Sequence, residues 1–278
     1  MMWSVTKLKN ALHDAFPFPI NRAGGESRPN RNILELSKLI GQFTDRYFNV
    51  RVEGTENIPS KGGAMIVSNH GFLMVESIVF HNVVLRHAKR CIRPVAAHMV
   101  WDIPGFNHLA AAAGAVRGDP DTVVSLLKRD ELVLIYPGGV REAAKGHADR
   151  ERLFWENRVG FARAALRARK PIIPAAIKGA DDVYIKSERP VLSLSSVVGD
   201  KDASMPLFFG VGPFPLPASL VFRFGEPIST EDAGDPDDGE ALRALHARAH
   251  DAVEALLKRG NAPRPSPQEQ GKEVGEPL

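Results

Sequence analysis

The sequence predicts an α/β fold, a layered αβα domain around a mostly parallel central sheet. Three observations lead there. Short uninterrupted apolar runs recur at Ala64–Val67, Leu132–Tyr136 and Ile172–Ile177, the pattern of strands buried on both faces. The segments between them carry apolar residues at helical spacing. Two of the runs end in turns that hold chemistry, Ser68-Asn69-His70-Gly71 and Pro137-Gly138-Gly139-Val140-Arg141-Glu142. Strands alternating with helices put such turns at one edge of a sheet.

In chain order, Met1, Val5, Leu8, Leu12 and Phe16 recur at helical spacing with Lys7 and Lys9 between them, an amphipathic helix ended by Pro17-Phe18-Pro19. Residues 1–30 form this helix and a loop, 31–259 one catalytic-size domain, and 260–278 a disordered tail with almost no apolar content. A second helix carries Ile33, Leu36, Ile40, Phe43 and Tyr47 on one face. Phe48–Val52 reads as a strand and Pro59–Gly63 as a turn. A helix lies within Phe72–His87, and Ile92–Ala96 is a strand. Asp121 caps a helix over Val123–Lys128, because its carboxylate can accept amide hydrogens there. Asn157–Arg169 is a helix with Phe161, Ala165 and Leu166 inward, and Leu220–Phe224 is a late strand. Glu240–Lys258 is a helix with Leu242, Leu245, Ala249, Val253 and Leu256 as its stripe.

A 278-residue chain with 44% hydrophobic and 25% charged residues can bury a substantial core. A single cysteine, Cys91, leaves no internal disulfide and no cysteine metal site, and suits a reducing compartment. A net charge of +3 with pI near 9.0 suits phosphates or an anionic membrane surface. No aromatic-and-basic motif points to nucleic acid. The longest uncharged run, Ala203–Phe222 after Asp202, is broken by Pro206, Pro213, Pro215 and Pro217. It cannot cross a bilayer as one regular helix. Gly-x-Ser-x-Gly and Gly-x-x-x-x-Gly-Lys-Ser/Thr patterns do not occur. His246 and His250, one helical turn apart, lack a third ligand and are expected at the surface, so no metal site is expected.

His70 is a candidate base, since neutral imidazole accepts protons near neutral pH. Glu76 is the nearest carboxylate that can fix its tautomer. A six-residue step places two side chains on different faces of a helix, so the chain must turn between them, for instance at Gly71. Arg141 offers a planar fork suited to phosphate, on a turn that Gly138 and Gly139 make tight. The same arginine can instead pair with Glu142 or Asp149. Arg117, in Gly114-Ala115-Val116-Arg117-Gly118, adds a positive charge.

Together these segments resemble the PlsC-like glycerolipid acyltransferases, in particular their monoacylglycerol/diacylglycerol acyltransferase-like branch. The resemblance runs from about Val50 to Ile228. It rests on Asn69-His70 with its downstream acid, Gly114–Arg117, Pro137–Ala143 and Pro171-Ile172-Ile173-Pro174, with Asn157–Ala162 and Arg223–Ile228 in support. It implies O-acyl transfer from acyl-CoA or acyl carrier protein to the hydroxyl of a glycerolipid or related lipid alcohol. His70 and Glu76 would be catalytic. Asn69, Gly71, Arg117, Pro137, Gly138, Gly139, Arg141 and Glu142 would bind substrate. No cofactor is implied beyond the acyl thioester. The family's usual histidine, four residues, then Asp is here His70, five residues, then Glu76. Its usual Glu-Gly-Thr-Arg-Ser is here Pro137-Gly138-Gly139-Val140-Arg141-Glu142, with the arginine kept and the hydroxyls lost. These departures leave room for a neutral lipid alcohol beside a lysophospholipid as acceptor, and motivate the alternative of a catalytically silent lipid-binding protein on the same fold.

A lipid acceptor implies a peripheral membrane surface and a cytoplasmic, peripherally membrane-associated protein. Trp3, Leu8, Leu12 and Phe16 form one apolar face for it, and Leu207, Phe208, Phe209, Phe214 and Leu216 a second. Both can equally pack on the domain itself. Nothing in the pattern specifies an oligomeric state.

Overall fold

The sheet is built from the predicted apolar runs. The computed structural model describes residues 41–102, 107, 110–111, 113–193, 204–212 and 214–260, with the side chains of Met74 and Met99 left aside. The N-terminal amphipathic helix, the start of the second helix and the tail from 261 lie outside the described residues. The second helix is seen from 41 to 47.

Strands β1 (Arg51–Glu53), β2 (Ala64–Ser68), β3 (Ile92–Ala96), β4 (Val116–Arg117), β5 (Leu132–Ile135), β6 (Ile172–Lys178) and β11 (Val221–Phe224) form one sheet in the order β1-β11-β6-β2-β5-β3-β4. All neighbours run parallel except β11 against β6. Four two-residue strands, β7 (Ile185–Lys186), β8 (Leu192–Ser193), β9 (Ser204–Met205) and β10 (Phe208–Phe209), pair as β7 with β10 and β8 with β9. The helices are α1 (Val75–Ala88), α2 (Pro120–Lys128), α3 (Gly139–Ala143), α4 (Gly160–Ala168) and α5 (Gly239–Lys258).

The period of two along β2 divides the core. Met65 and Val67 face α2, α4 and α5, while Ala64 and Ile66 face α1 and Phe80, Phe222 and Phe224. This is the three-layer αβα arrangement expected. The connection from β2 through α1 leaves on one face, and that from β5 through α4 leaves on the other, toward opposite sides of the sheet. The carboxyl ends of β2 and β5 are therefore a topological switch point, the place where open α/β sheets bind ligands.

Three features differ from expectation. The cap of α2 is Asp119, whose carboxylate accepts from the Thr122 amide at 2.8 Å, with Pro120 opening the helix. Asp121 lies in the first turn and pairs with Arg167. The strand expected from Phe48 begins at Arg51, because Asn49 turns the chain at φ +41. His246 and His250, expected at the surface, lie against Trp155 with ring centroids 6.0 and 5.4 Å away.

Candidate functional site

His70 stands where β2 leaves the sheet, and Asn69 holds that departure in place. Ser68 is the last residue of β2 in register with β6, opposite Ala175. Beyond it the Asn69 side chain takes over from the strand. Its Oδ1 accepts from the Ile177 amide at 2.7 Å, and its Nδ2 donates to the Ile177 carbonyl at 3.0 Å. The ladder bonds of β6 are thus satisfied while the main chain turns outward. Asn69, expected to touch substrate, is buried and spends its amide on this framework.

The His70 ring meets Glu76 at 2.8 Å, Nδ1 to Oε1. The carboxylate enters from the first turn of α1 and is 1% exposed, with Oε2 sealed in and without a hydrogen-bond partner. The six-residue step is absorbed at Leu73, which takes a left-handed conformation (φ 54, ψ 24) inside the single 3-10 turn, Phe72–Met74, that precedes α1. The expectation of a turn at Gly71 is corrected: its backbone is extended (φ −89, ψ 174). Gly71 is needed for space. A Cβ there would lie 2.7 Å from Glu76 Oε2 and 2.7 Å from Ala180 Cβ.

A left-handed leucine is strained by roughly 1–2 kcal/mol. Leu73→Gly is expected to raise stability by about 1 kcal/mol, and the β-branched Leu73→Val to lower it by a similar amount. Urea denaturation of the two variants tests this. Equal midpoints would show that the turn is unstrained.

Tyr136, following β5, stacks on the His70 ring with centroids 4.3 Å apart and planes inclined by 20°. Its hydroxyl bonds Ser77 Oγ at 3.0 Å. Next comes the Pro137-Gly138 turn, which the Glu142 carboxylate ties to the histidine. Glu142 Oε1 accepts from the His70 amide at 2.6 Å and Oε2 from the Phe154 amide at 2.8 Å. A Cβ on Gly138 would fall 2.1 Å from Glu142 Oε2, and Gly139 needs its φ of +54. Burial pushes the Glu142 carboxyl up, opposed by Lys145 and the two amides. Like Asn69, Glu142 was expected at the ligand surface and is instead a fully buried brace. The carbonyls of Pro137 and Gly138 accept from Arg158 Nη1 at 3.1 and 2.7 Å. Arg158 was not foreseen, although its Asn157–Ala162 segment stood out.

Arg141 pairs with Glu156 at 3.1 Å, rather than with Glu142 or Asp149. This contact is outward, with the side chains 29% and 57% exposed. Arg117 ends β4 with its guanidinium 5.4 Å from the Trp101 ring centroid. It shares the carboxyl edge with His70 but lies three strand spacings away, about 14 Å.

Beneath the turn lies a cluster of charges that sequence reasoning missed. Asp181, just past β6, accepts from Lys145 Nζ and Lys186 Nζ, each at 3.0 Å, and from the Glu151 amide at 2.9 Å. Both ammonium side chains are fully buried. The Lys186 ammonium also sits 5.2 Å from the Phe72 ring centroid, two residues from His70 in sequence.

Phe72 also packs edge-on to Phe208 (5.0 Å) and Tyr184 (5.6 Å). Phe208, expected in an outward apolar face, therefore points inward. Ile185, Leu207, Phe209, Val211 and Phe214 remain exposed and form an apolar ledge around β7 and β10. Among the described residues no helix is long and apolar enough to cross a membrane.

Residues 49–178 match the protein-family model described as Acyltransferase. An uncharacterized protein of Mycobacterium tuberculosis is 33% identical over 244 residues, covering 83% of this chain and 67% of that one. The "DGAT1/2-independent enzyme synthesizing storage lipids" of Homo sapiens is 38% identical over 123 residues, covering 44% of this chain and 38% of the human protein. The crystal structure of the 1-acyl-sn-glycerophosphate (LPA) acyltransferase PlsC from Thermotoga maritima superposes with a TM-score of 0.52. It is 18% identical, and the match covers 92% of this chain and 90% of that one. That likeness concerns the fold.

Proposed function

We propose, since the chain belongs to the PlsC-like acyltransferase family, that this acyltransferase moves an acyl group from a thioester to the hydroxyl of a neutral glycerolipid with His70 as general base. The observation that carries the reading is the His70–Glu76 pair at the carboxyl end of β2, beside the β2/β5 switch point. Glu76 occupies Nδ1 and orients the ring. Nε2 makes no hydrogen bond to the described residues and is not among the sealed polar atoms. Nε2 takes the proton of the acceptor hydroxyl as its oxygen attacks the thioester carbonyl. Collapse of the tetrahedral adduct expels the thiolate, which recovers that proton from the imidazolium. No acyl-enzyme is required.

Acyl-CoA carries phosphates, and Arg141 suits them. Its ion pair with Glu156 is solvent-exposed, and such pairs contribute little. Arg117 extends the same positive edge. A neutral acceptor fits a turn that has lost its hydroxyls and whose carboxylate is spent on backbone amides. The storage-lipid relatives support the same choice. The test is transfer of labelled oleate from oleoyl-CoA or oleoyl-acyl carrier protein to diacylglycerol, monoacylglycerol or lysophosphatidate in mixed micelles. Labelled neutral glyceride is expected. Labelled phosphatidate alone would overturn the acceptor class, and no labelled lipid with any pair would overturn the activity.

The acceptor resides in a bilayer, and the exposed ledge is continuous through Phe208 and Phe72 with the histidine turn. It serves as a docking face. Phe209→Ser/Phe214→Ser is expected to weaken binding to anionic liposomes at least about tenfold, since each buried phenylalanine contributes about 1.5–3 kcal/mol. Flotation measures this, and undiminished binding would exclude the ledge.

A further inference from the structure

We propose that Tyr136 is a positioning residue for the base, a platform whose ring face holds the His70 imidazole in plane and stabilises it as it becomes cationic. The inference rests on the reading of His70 as the base.

The imidazole is wedged between two elements. Strand β5 delivers Tyr136, which stacks nearly face to face on it. Helix α1 delivers Glu76, which holds its Nδ1 edge. The two supports are themselves joined, because the Tyr136 hydroxyl bonds Ser77, the residue after Glu76. The ring thus sits in a clamp closed on one face and one edge, with no hydrogen bond from the described residues at Nε2.

The chemistry of the clamp favours the protonated ring. An aromatic face attracts a cation held over it, and more strongly away from water. The phenol stays neutral at working pH, since burial and the charge of Glu76 push it well above its usual value. Its attraction therefore grows when the proton arrives at Nε2, which is when the acceptor oxygen attacks. An interaction stronger in the transition state than in the ground state accelerates the step. The other charged groups near the ring are accounted for separately. Glu76 acts at Nδ1. Glu142 on α3 holds the His70 amide. Lys186 on β7 faces Phe72 and is paired with Asp181, as is Lys145. Arg141 on α3 is turned to Glu156.

Two substitutions separate the ring face from the hydroxyl. Tyr136→Phe keeps the face and loses the Ser77 bond, whereas Tyr136→Leu removes the face. In the full-length protein, the His70 ring is titrated by nitrogen-edited NMR without substrate. The pH profile of kcat/KM is recorded with oleoyl-CoA and diacylglycerol. In Tyr136→Leu the NMR midpoint is expected to fall by about half to one pH unit, since a cation–π contact of that strength converts at 1.36 kcal/mol per unit. The acidic limb of kcat/KM should move with it, and kcat should fall about three- to tenfold. Tyr136→Phe should restore both midpoints to the wild-type positions. A Tyr136→Leu protein that melts normally and titrates like wild type overturns the proposal. An NMR midpoint that moves while the rate profile stays put leaves the clamp standing and overturns His70 as the base.

Discussion

His70→Ala is expected to lower kcat by between a hundredfold and ten-thousandfold, the range for loss of a general base, while the protein remains folded. The geometry sets the control. Removing the ring leaves Glu76, already without a partner at Oε2, as a buried carboxylate with nothing at either oxygen. Stability must therefore be measured beside activity. His70→Gln supplies an amide that can still reach Glu76 but has no basic nitrogen, so it should be equally inactive and more stable than the alanine variant. Glu76→Gln keeps a polar partner at Nδ1 but removes the negative charge that favours the imidazolium. A loss on the order of tenfold to a hundredfold is expected. The double variant should be no worse than His70→Ala, because the two residues act as one unit. Circular dichroism establishes folding, and labelled-acyl transfer at saturating donor reads kcat. A folded His70→Ala protein within fivefold of wild type would remove the imidazole from the chemistry.

The same residues show why some of the architecture could be read from the sequence and some could not. Strands β2, β5 and β6 are buried along all or nearly all of their length, so their apolar runs announce them. Strand β4 and the strands around the ledge are two residues long, too short to carry a period. The pairing of His70 with Glu76 was legible because both are chemically distinctive and near in sequence. The device that makes it possible was not, since no residue pattern marks a leucine for positive φ. Asn69 and Glu142 look like ligand contacts because they are polar and flank the reactive groups. Their partners include main-chain groups 108 and 72 residues away, which only the sheet order brings together. Arg158 and Tyr136 were within or beside the noted segments, but their roles depend on which strand lies next to β2. Nothing in the sequence singles out Lys145, Asp181 and Lys186, since burial of a charge depends on the partner that folding delivers.

That last group carries the largest stability effect. Asp181→Asn should destabilise the protein by about 3–5 kcal/mol at neutral pH, because it leaves two buried ammoniums without a counter-charge. For a domain of this size the melting temperature should fall by on the order of 10 °C. The exposed pair Lys170–Asp130, at 2.8 Å, is the internal control: Asp130→Asn should change stability far less, since an exposed ion pair contributes little and the asparagine oxygen can still accept from the Gly63 amide. The pH dependence follows from the direction of the shift. Burial opposes ionisation of Asp181, but Lys145 and Lys186 outweigh it and hold the carboxyl below its ordinary value. A carboxyl depressed in the folded state contributes stability that is full above the unfolded value, near 3.9, and is lost as pH falls through the folded one. The gap between wild type and Asp181→Asn should therefore be constant above about pH 5 and narrow below about pH 4. Glu142, raised by burial, works in the opposite sense, adding stability at low pH that is lost as pH rises through its folded value. Denaturant titrations of both proteins across this range measure the gap. A gap that stays the same width down to the lowest pH at which wild type folds would mean that the carboxylate does not hold the two lysines. The floor beneath the histidine turn would then rest on packing alone.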